Sequence, residues 1–101
     1  PLSILVETLK QIGANIKYVE NEGFPPILIE GKRIKGGVID IDATVSSQYI
    51  SALMLMAPKM TNGIIMYLKG DIASYPYINM TAKVMEHFGI EILMHENAIA
   101  I

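Results

Sequence analysis

The sequence predicts a mixed α/β (α+β) fold. It is built as one complete βαβαββ unit over residues 37–101, preceded by the αββ end of another over residues 1–36. Three observations predict this. Helical and alternating apolar spacings take turns along the chain. A pattern around Gly13 returns around Gly89. One helix is apolar in every direction, so it needs cover on more sides than a single sheet supplies.

Leu2, Leu5, Val6, Leu9 and Ile12 follow helical spacing, and Gly13 ends that helix as a left-handed cap. Pro1 suits a first helical position, where a missing N–H leaves nothing unpaired. An opening at a helix start is expected of a piece cut from a longer protein. Residues 15–20 alternate, with Ile16, Tyr18 and Glu20 on one side, and Asn21, Glu22 and Gly23 make a turn. Phe24-Pro25-Pro26 keeps the chain extended, since proline disfavours helical angles in the residue before it. Residues 27–30 are then the returning strand.

Residues 31–35 form a charged turn, Gly36-Gly37 a flexible joint, and Val38, Ile39 and Ile41 a third strand. A helix is expected over residues 47–60, with Pro58 in its last turn. The next strand, residues 64–68, lies between Asn62-Gly63 and Gly70-Asp71. After a loop over residues 72–76, Tyr77, Met80, Thr81, Val84, Met85 and Phe88 form a helical stripe ended by Gly89. Residues 90–94 and 98–101 are a strand pair around Glu96-Asn97.

Aligning Gly13 with Gly89 matches Leu9 with Met85, Ile12 with Phe88, Ile16 with Ile92, Tyr18 with Met94, and Glu20-Asn21 with Glu96-Asn97. The period of 76 residues exceeds the usual solenoid repeats. The two helices of the complete unit differ. The later one keeps Asn79, Lys83, Glu86 and His87 for a wet face, whereas Tyr49, Ile50 and residues 52–57 cover every side of the earlier one. Neighbouring units are expected to cover what the sheet does not.

At 101 residues and 51% hydrophobic composition the chain is expected to form one ordered core. A net charge of −2 without a Lys/Arg run argues against nucleic acid or an anionic membrane as partner. The absence of cysteine removes disulfides, thiolate catalysis and Cys-based zinc sites. With no leader-like segment, a cytoplasmic location is expected. The apolar stretch over residues 50–57 is far short of the roughly 20 residues of a membrane span. Asp40 and Asp42 share one face of a strand and are read as solvated surface. His87 and His95 are read as surface or rim residues, and the seven methionines as core filler. Neither a metal nor a cofactor is expected.

The candidate site begins at Ser46-Ser47-Gln48, in front of the apolar helix. Ordinary N-capping by a serine accounts for a hydroxyl there. Two features point further. The helix start follows a strand end, where open α/β sheets place ligands, and no acid occupies its first turn. Bare N–H groups and the positive end of the helix dipole suit a phosphate, and two hydroxyls and an amide add donors. Ala73-Ser74-Tyr75-Pro76-Tyr77 is a second loop feeding a helix. There Ser74 as a plain loop residue, and Tyr77 as core with its hydroxyl at the rim, are the simpler reading. If both strands run parallel, both helix starts face one space.

The stretches "VSSQYISALMLMAP", "KGDIASYPYINMTAKVMEHFGIEI" and "LVETLKQIGANIKYVENEGFPPILIEG" resemble the 5-enolpyruvylshikimate-3-phosphate synthase family over residues 1–94. The Ser-Ser-Gln triplet separates the chain from the sister enolpyruvyl transferase acting on UDP-N-acetylglucosamine. The resemblance implies transfer of the enolpyruvyl group of phosphoenolpyruvate to the 5-hydroxyl of 3-phosphoshikimate, releasing phosphate, in the shikimate route to chorismate and the aromatic amino acids. It implies Ser46, Ser47 and Ser74 on the phosphate of 3-phosphoshikimate. Tyr77 would lie beside the sugar-like ring, and Gln48 beside that ring and toward phosphoenolpyruvate. It also implies the inside-out fold of that family, two lobes of three βαβαββ units each, helices inside and sheets outside.

Tyr75 stands where the family often has Lys or Arg, and Ala43-Thr44 where Gly-Ser is common. The family's phosphoenolpyruvate-binding Arg precedes the position of Pro1, and its Lys, Asp, Glu and other Arg residues belong to other segments. No catalytic residue is therefore expected within these residues, and the remainder of the two-lobed enzyme is the expected partner. The chain alone is expected to be inactive. Two rivals remain: a non-catalytic phosphometabolite-binding module, and a structural piece whose apolar helix drives assembly.

Overall fold

Strand alternation builds the larger sheet. In β3 (Gly37–Asp42) Ile39 and Ile41 point inward and Val38, Asp40 and Asp42 outward, and β4 (Ile64–Lys69) repeats this with Ile64, Met66 and Leu68 inside. This computed structural model describes residues 2–44, 47–72 and 75–101. The two strands run parallel, from Gly37 opposite Ile64 to Asp42 opposite Lys69. The hairpin of β5 (Leu93–His95) and β6 (Ala98–Ala100) completes a four-stranded sheet in the order β3-β4-β6-β5, with β6 antiparallel to β4.

The crossover from β3 to β4 runs through α2 (Ser47–Met56) and a 3-10 turn (Ala57–Lys59), and α3 (Tyr75–His87) links β4 to β5. This is the expected βαβαββ order. Pro58 explains the earlier end of α2: it sits in the first turn of the 3-10 segment, where its missing N–H is tolerated. Ile50, Leu53, Met54 and Ala57 pack on Ile39, Ile41, Met66 and Leu68 in one core that Ile78, Ala82, Met85 and Ile99 complete. The other side of α2 stays open, with Leu55 62% exposed. One sheet covers one side of an all-apolar helix, as its sequence requires.

Upstream, α1 (Ser3–Gln11) leads into a separate antiparallel hairpin of β1 (Asn15–Tyr18) and β2 (Ile27–Glu30). Phe24 and Pro25 bend rather than extend, and the Pro25-Pro26 peptide is cis. Ile12 reaches the main core, joining the αββ segment to the unit. The repeat is visible in how its two helices end. Ala14 N–H donates to the Leu9 carbonyl (2.9 Å) and Gly13 N–H to Lys10 (3.1 Å). Ile90 N–H donates to Met85 (3.1 Å) and Gly89 N–H to Glu86 (2.9 Å). Both are Schellman caps on a positive-φ glycine. The second cap occupies Ile90, so β5 begins at Leu93 and not at residue 90 as expected.

Three further expectations are corrected. Helix α3 starts at Tyr75, with Pro76 inside its first turn, where proline is favoured. Its buried face is Ile78, Ala82 and Met85, while Tyr77, Met80, Val84 and Phe88 of the expected stripe are exposed. Apolar side chains occupy two faces of this helix, and the sheet selects one. Gly36 is a close backbone crossing rather than a flexible joint. At φ +80° it lies against the Gly63 carbonyl, Gly37 N–H donates to that carbonyl (3.1 Å), and Gly63 in turn lies against the carbonyl of Ile101.

Candidate functional site at the paired helix starts

Parallel strands deliver the site. Because β3 and β4 point the same way, the connections leaving them open at one end of the sheet, where α2 and α3 begin side by side. Neither helix has an acidic residue in its first turn, so no carboxylate of the first turn itself neutralises either positive dipole end.

A hydroxyl pair fixes the two helices one turn inside. The Thr81 hydroxyl lies 3.2 Å from Ser51 Oγ and 3.0 Å from the Tyr77 carbonyl oxygen. With one proton on each hydroxyl, both contacts hold together when Thr81 donates to the carbonyl and accepts from Ser51. Ser47 precedes Ser51 by four residues and Tyr77 precedes Thr81 by four, so each stands over its partner on the same helix face. Ser47 and Tyr77 thus lie one turn before this contact, each on its own helix. Neither Ser51 nor Thr81 stands out in the sequence as part of the site. Their signal is a small polar residue four positions after each candidate within an apolar stripe.

Of the expected site residues, Ser47 is 5% exposed at the start of α2, Gln48 beside it is exposed, and Tyr77 is 60% exposed on α3. Ser46 and Ser74 lie outside the described residues, as do Pro1, Val45 and Ala73. Burial of Ser47 leaves Gln48 and Tyr77 as the described candidates that solvent reaches most freely. Tyr75, in the first turn of α3, is 38% exposed.

The turn leaving β3 accounts for Ala43-Thr44. Ala43 is fully buried and extends the ladder, its N–H donating to the Lys69 carbonyl (3.0 Å). Thr44 folds back on Asp42, donating to Asp42 Oδ1 from both its hydroxyl and its N–H. The hydroxyl first and the N–H second hold the Asp42 carboxyl below its usual range, against a smaller opposing effect of desolvation. A depressed carboxyl pKa favours the folded turn above the unfolded value of about 3.9, and that contribution is lost as pH falls through the folded value. Thr44→Val is expected to move the Asp42 midpoint up toward about 3.9 in a carboxyl-carbon NMR titration. An unchanged midpoint would show that the hydroxyl is not the main cause.

Asp40 and Asp42 lie on the solvated face, and Asp40 meets Lys69 at 3.7 Å between largely exposed side chains, a pair that contributes little. Among the described residues no group of three or more His, Cys, Asp or Glu is placed to hold a metal. No described helix is long and apolar enough to cross a membrane.

The family model for EPSP synthase (3-phosphoshikimate 1-carboxyvinyltransferase) matches residues 1–101. The chain is similar to the 3-phosphoshikimate 1-carboxyvinyltransferase of Bacteroides fragilis, at 51% identity over 89 residues, which is 88% of this chain and 22% of that protein. The protein of the same name from Shewanella sp. strain MR-7 is 41% identical over 97% of this chain and 23% of its own length. That of Haemophilus influenzae is 43% identical over 94% and 22%. The chain thus spans less than a quarter of the length of these relatives.

Proposed function

The chain belongs to the EPSP synthase family, and from that premise we propose that it supplies the phosphate end of the 3-phosphoshikimate site of an enolpyruvyl transferase. The whole protein then moves the enolpyruvyl group of phosphoenolpyruvate to the 5-hydroxyl of 3-phosphoshikimate and releases phosphate, a step of the shikimate route to chorismate. Ser46, Ser47 and Ser74 hold the phosphate of 3-phosphoshikimate, Tyr77 lies by its ring, and Gln48 lies by the ring and toward phosphoenolpyruvate. The acid-base groups come from segments beyond residues 1–101, in the remainder of the two-lobed enzyme. The contribution of this part is positional: a substrate anchored at its phosphate presents its hydroxyl in one orientation, which removes part of the entropic barrier to reaction.

The observation that carries this reading is the pair of acid-free helix starts at one end of a parallel strand pair, fixed by the Ser51–Thr81 contact. Titration calorimetry of the chain with 3-phosphoshikimate, and separately with inorganic phosphate, tests it. Saturable binding is expected for 3-phosphoshikimate, at least tenfold tighter than for phosphate, because Tyr77 and Gln48 add ring contacts. Equal affinities would reduce the site to a generic phosphate binder. The absence of both signals would remove the proposal.

A structural reading draws on the exposed stripe of Tyr77, Met80, Val84 and Phe88 along α3. In the proposed enzyme this stripe meets the other units, so the two readings describe one surface in different assemblies.

A further inference from the structure

We propose that a cavity at the opposite end of α2 from the helix starts is a binding site for a small organic acid: a carboxylate carried on an aromatic or branched apolar body. The cavity has a volume of about 470 Å³, within the range of small-molecule pockets. Lys32, Arg33, Ile34, Met56, Lys59 and Met60 line it. Three of the eight Lys and Arg residues of a chain with net charge −2 thus converge on one cavity, and no acidic residue is among those lining it. Among the described residues none of the three has an ion-pair partner, the described salt bridges being Lys10–Glu7 and Lys69–Asp40.

The walls are fixed by backbone bonds, although the cations themselves are exposed. Thr61 N–H donates to the Ile34 carbonyl (3.1 Å), Asn62 N–H to Lys35 (2.8 Å), and Gly36 N–H to Ile12 (3.2 Å). The segment carrying Lys32 and Arg33 is thereby tied to the turn that follows Lys59 and Met60. Met60 is buried, Ile34 half-buried and Met56 at the margin, giving the cavity an apolar side.

This composition selects the ligand class. A guanidinium presents paired N–H donors that match a carboxylate, and two ammonium groups add positive charge around it. Methionine thioethers adapt to an aromatic or branched body. The C-terminal end of α2 carries partial negative charge, which disfavours an anion, and Lys59 in the following turn opposes it. A bare inorganic anion leaves the methionine side unused, and a purely apolar ligand leaves three cations without a partner. The site stands about 15 Å from the helix starts, the length of a ten-residue helix at 1.5 Å per residue.

Titration of the chain with 4-phenylbutyrate, followed by backbone amide NMR, tests the inference against 4-phenylbutylamine, which keeps the body and reverses the charge, and against acetate, which keeps the head alone. Saturable shifts at residues 32–35 and 56–62 are expected with 4-phenylbutyrate, together with at least tenfold weaker binding of either control. Arg33→Gln with Lys59→Gln, both exposed and outside the core, is expected to weaken 4-phenylbutyrate at least tenfold without lowering Tm. Amine binding equal to that of the acid, indifference to the double substitution, or no saturable shift at these residues would each overturn it. Because the helix starts are remote, Ser47→Asp is expected to leave 4-phenylbutyrate binding unchanged, which separates this site from the 3-phosphoshikimate site.

Discussion

Gly36→Ala is expected to destabilise the chain by about 2–5 kcal/mol, combining left-handed strain with overpacking against a backbone that cannot move aside. At φ +80° an added Cβ falls onto the Gly63 carbonyl, and Gly63 is itself held against Ile101. A domain of this size has a stability on the order of 5–15 kcal/mol, so the loss takes a large fraction of the total. Two neighbours make the test internal. Gly37 also has a positive φ, +132°, but open space around its Cβ, so alanine there meets strain alone. Gly31 has neither constraint, and alanine there is expected to be neutral or to stabilise by about 0.4–1 kcal/mol through the unfolded state. Urea midpoints should fall in the order Gly31→Ala, Gly37→Ala, Gly36→Ala. If Gly36→Ala costs no more than Gly37→Ala, the close crossing is not the constraint described above.

Ser47→Asp is expected to weaken 3-phosphoshikimate at least 100-fold by calorimetry. At an effective dielectric of about 20, two unit charges roughly 4 Å apart repel by about 4 kcal/mol, and each 1.4 kcal/mol is a factor of ten. The position is only 5% exposed, so solvent screens the new charge poorly. Ser47→Ala removes one hydrogen-bonding group, about 0.5–1.5 kcal/mol, and is expected to weaken binding roughly 3- to 10-fold. Ser47→Asn matches the size of Asp without its charge and should resemble Ala. An Asn variant as weak as the Asp variant would mean that crowding, and not repulsion of a phosphate, governs this position. Thermal unfolding of all three keeps a folding defect apart from a binding defect.

The candidate site was legible wherever its signal is local. Ser47 and Gln48 stand out because uncharged polar residues opening an apolar helix are visible within one turn, and Tyr77 because it follows a loop and a proline. The clamp behind them was not legible: Ser51 and Thr81 are 30 residues apart and meet only because two helices lie on the same sheet face. The basic cavity has the same origin. Lys32-Arg33 is one charged turn among several, and Lys59 is one lysine near a helix end, until the backbone bonds of Ile34 and Lys35 to Thr61 and Asn62 bring them together.

By itself the sequence determined the order of helices and strands, the inward rows of β3 and β4, and the two glycine caps 76 residues apart. Each of these is set by side-chain period or backbone freedom over a few consecutive residues. Tertiary structure alone decided that Ile78, Ala82 and Met85 face the core while Tyr77, Met80, Val84 and Phe88 do not, and that Gly36 passes against Gly63. The physical reason is that an apolar residue records a demand for burial without naming its partner. Which demand is met first depends on the surface that chain topology brings alongside.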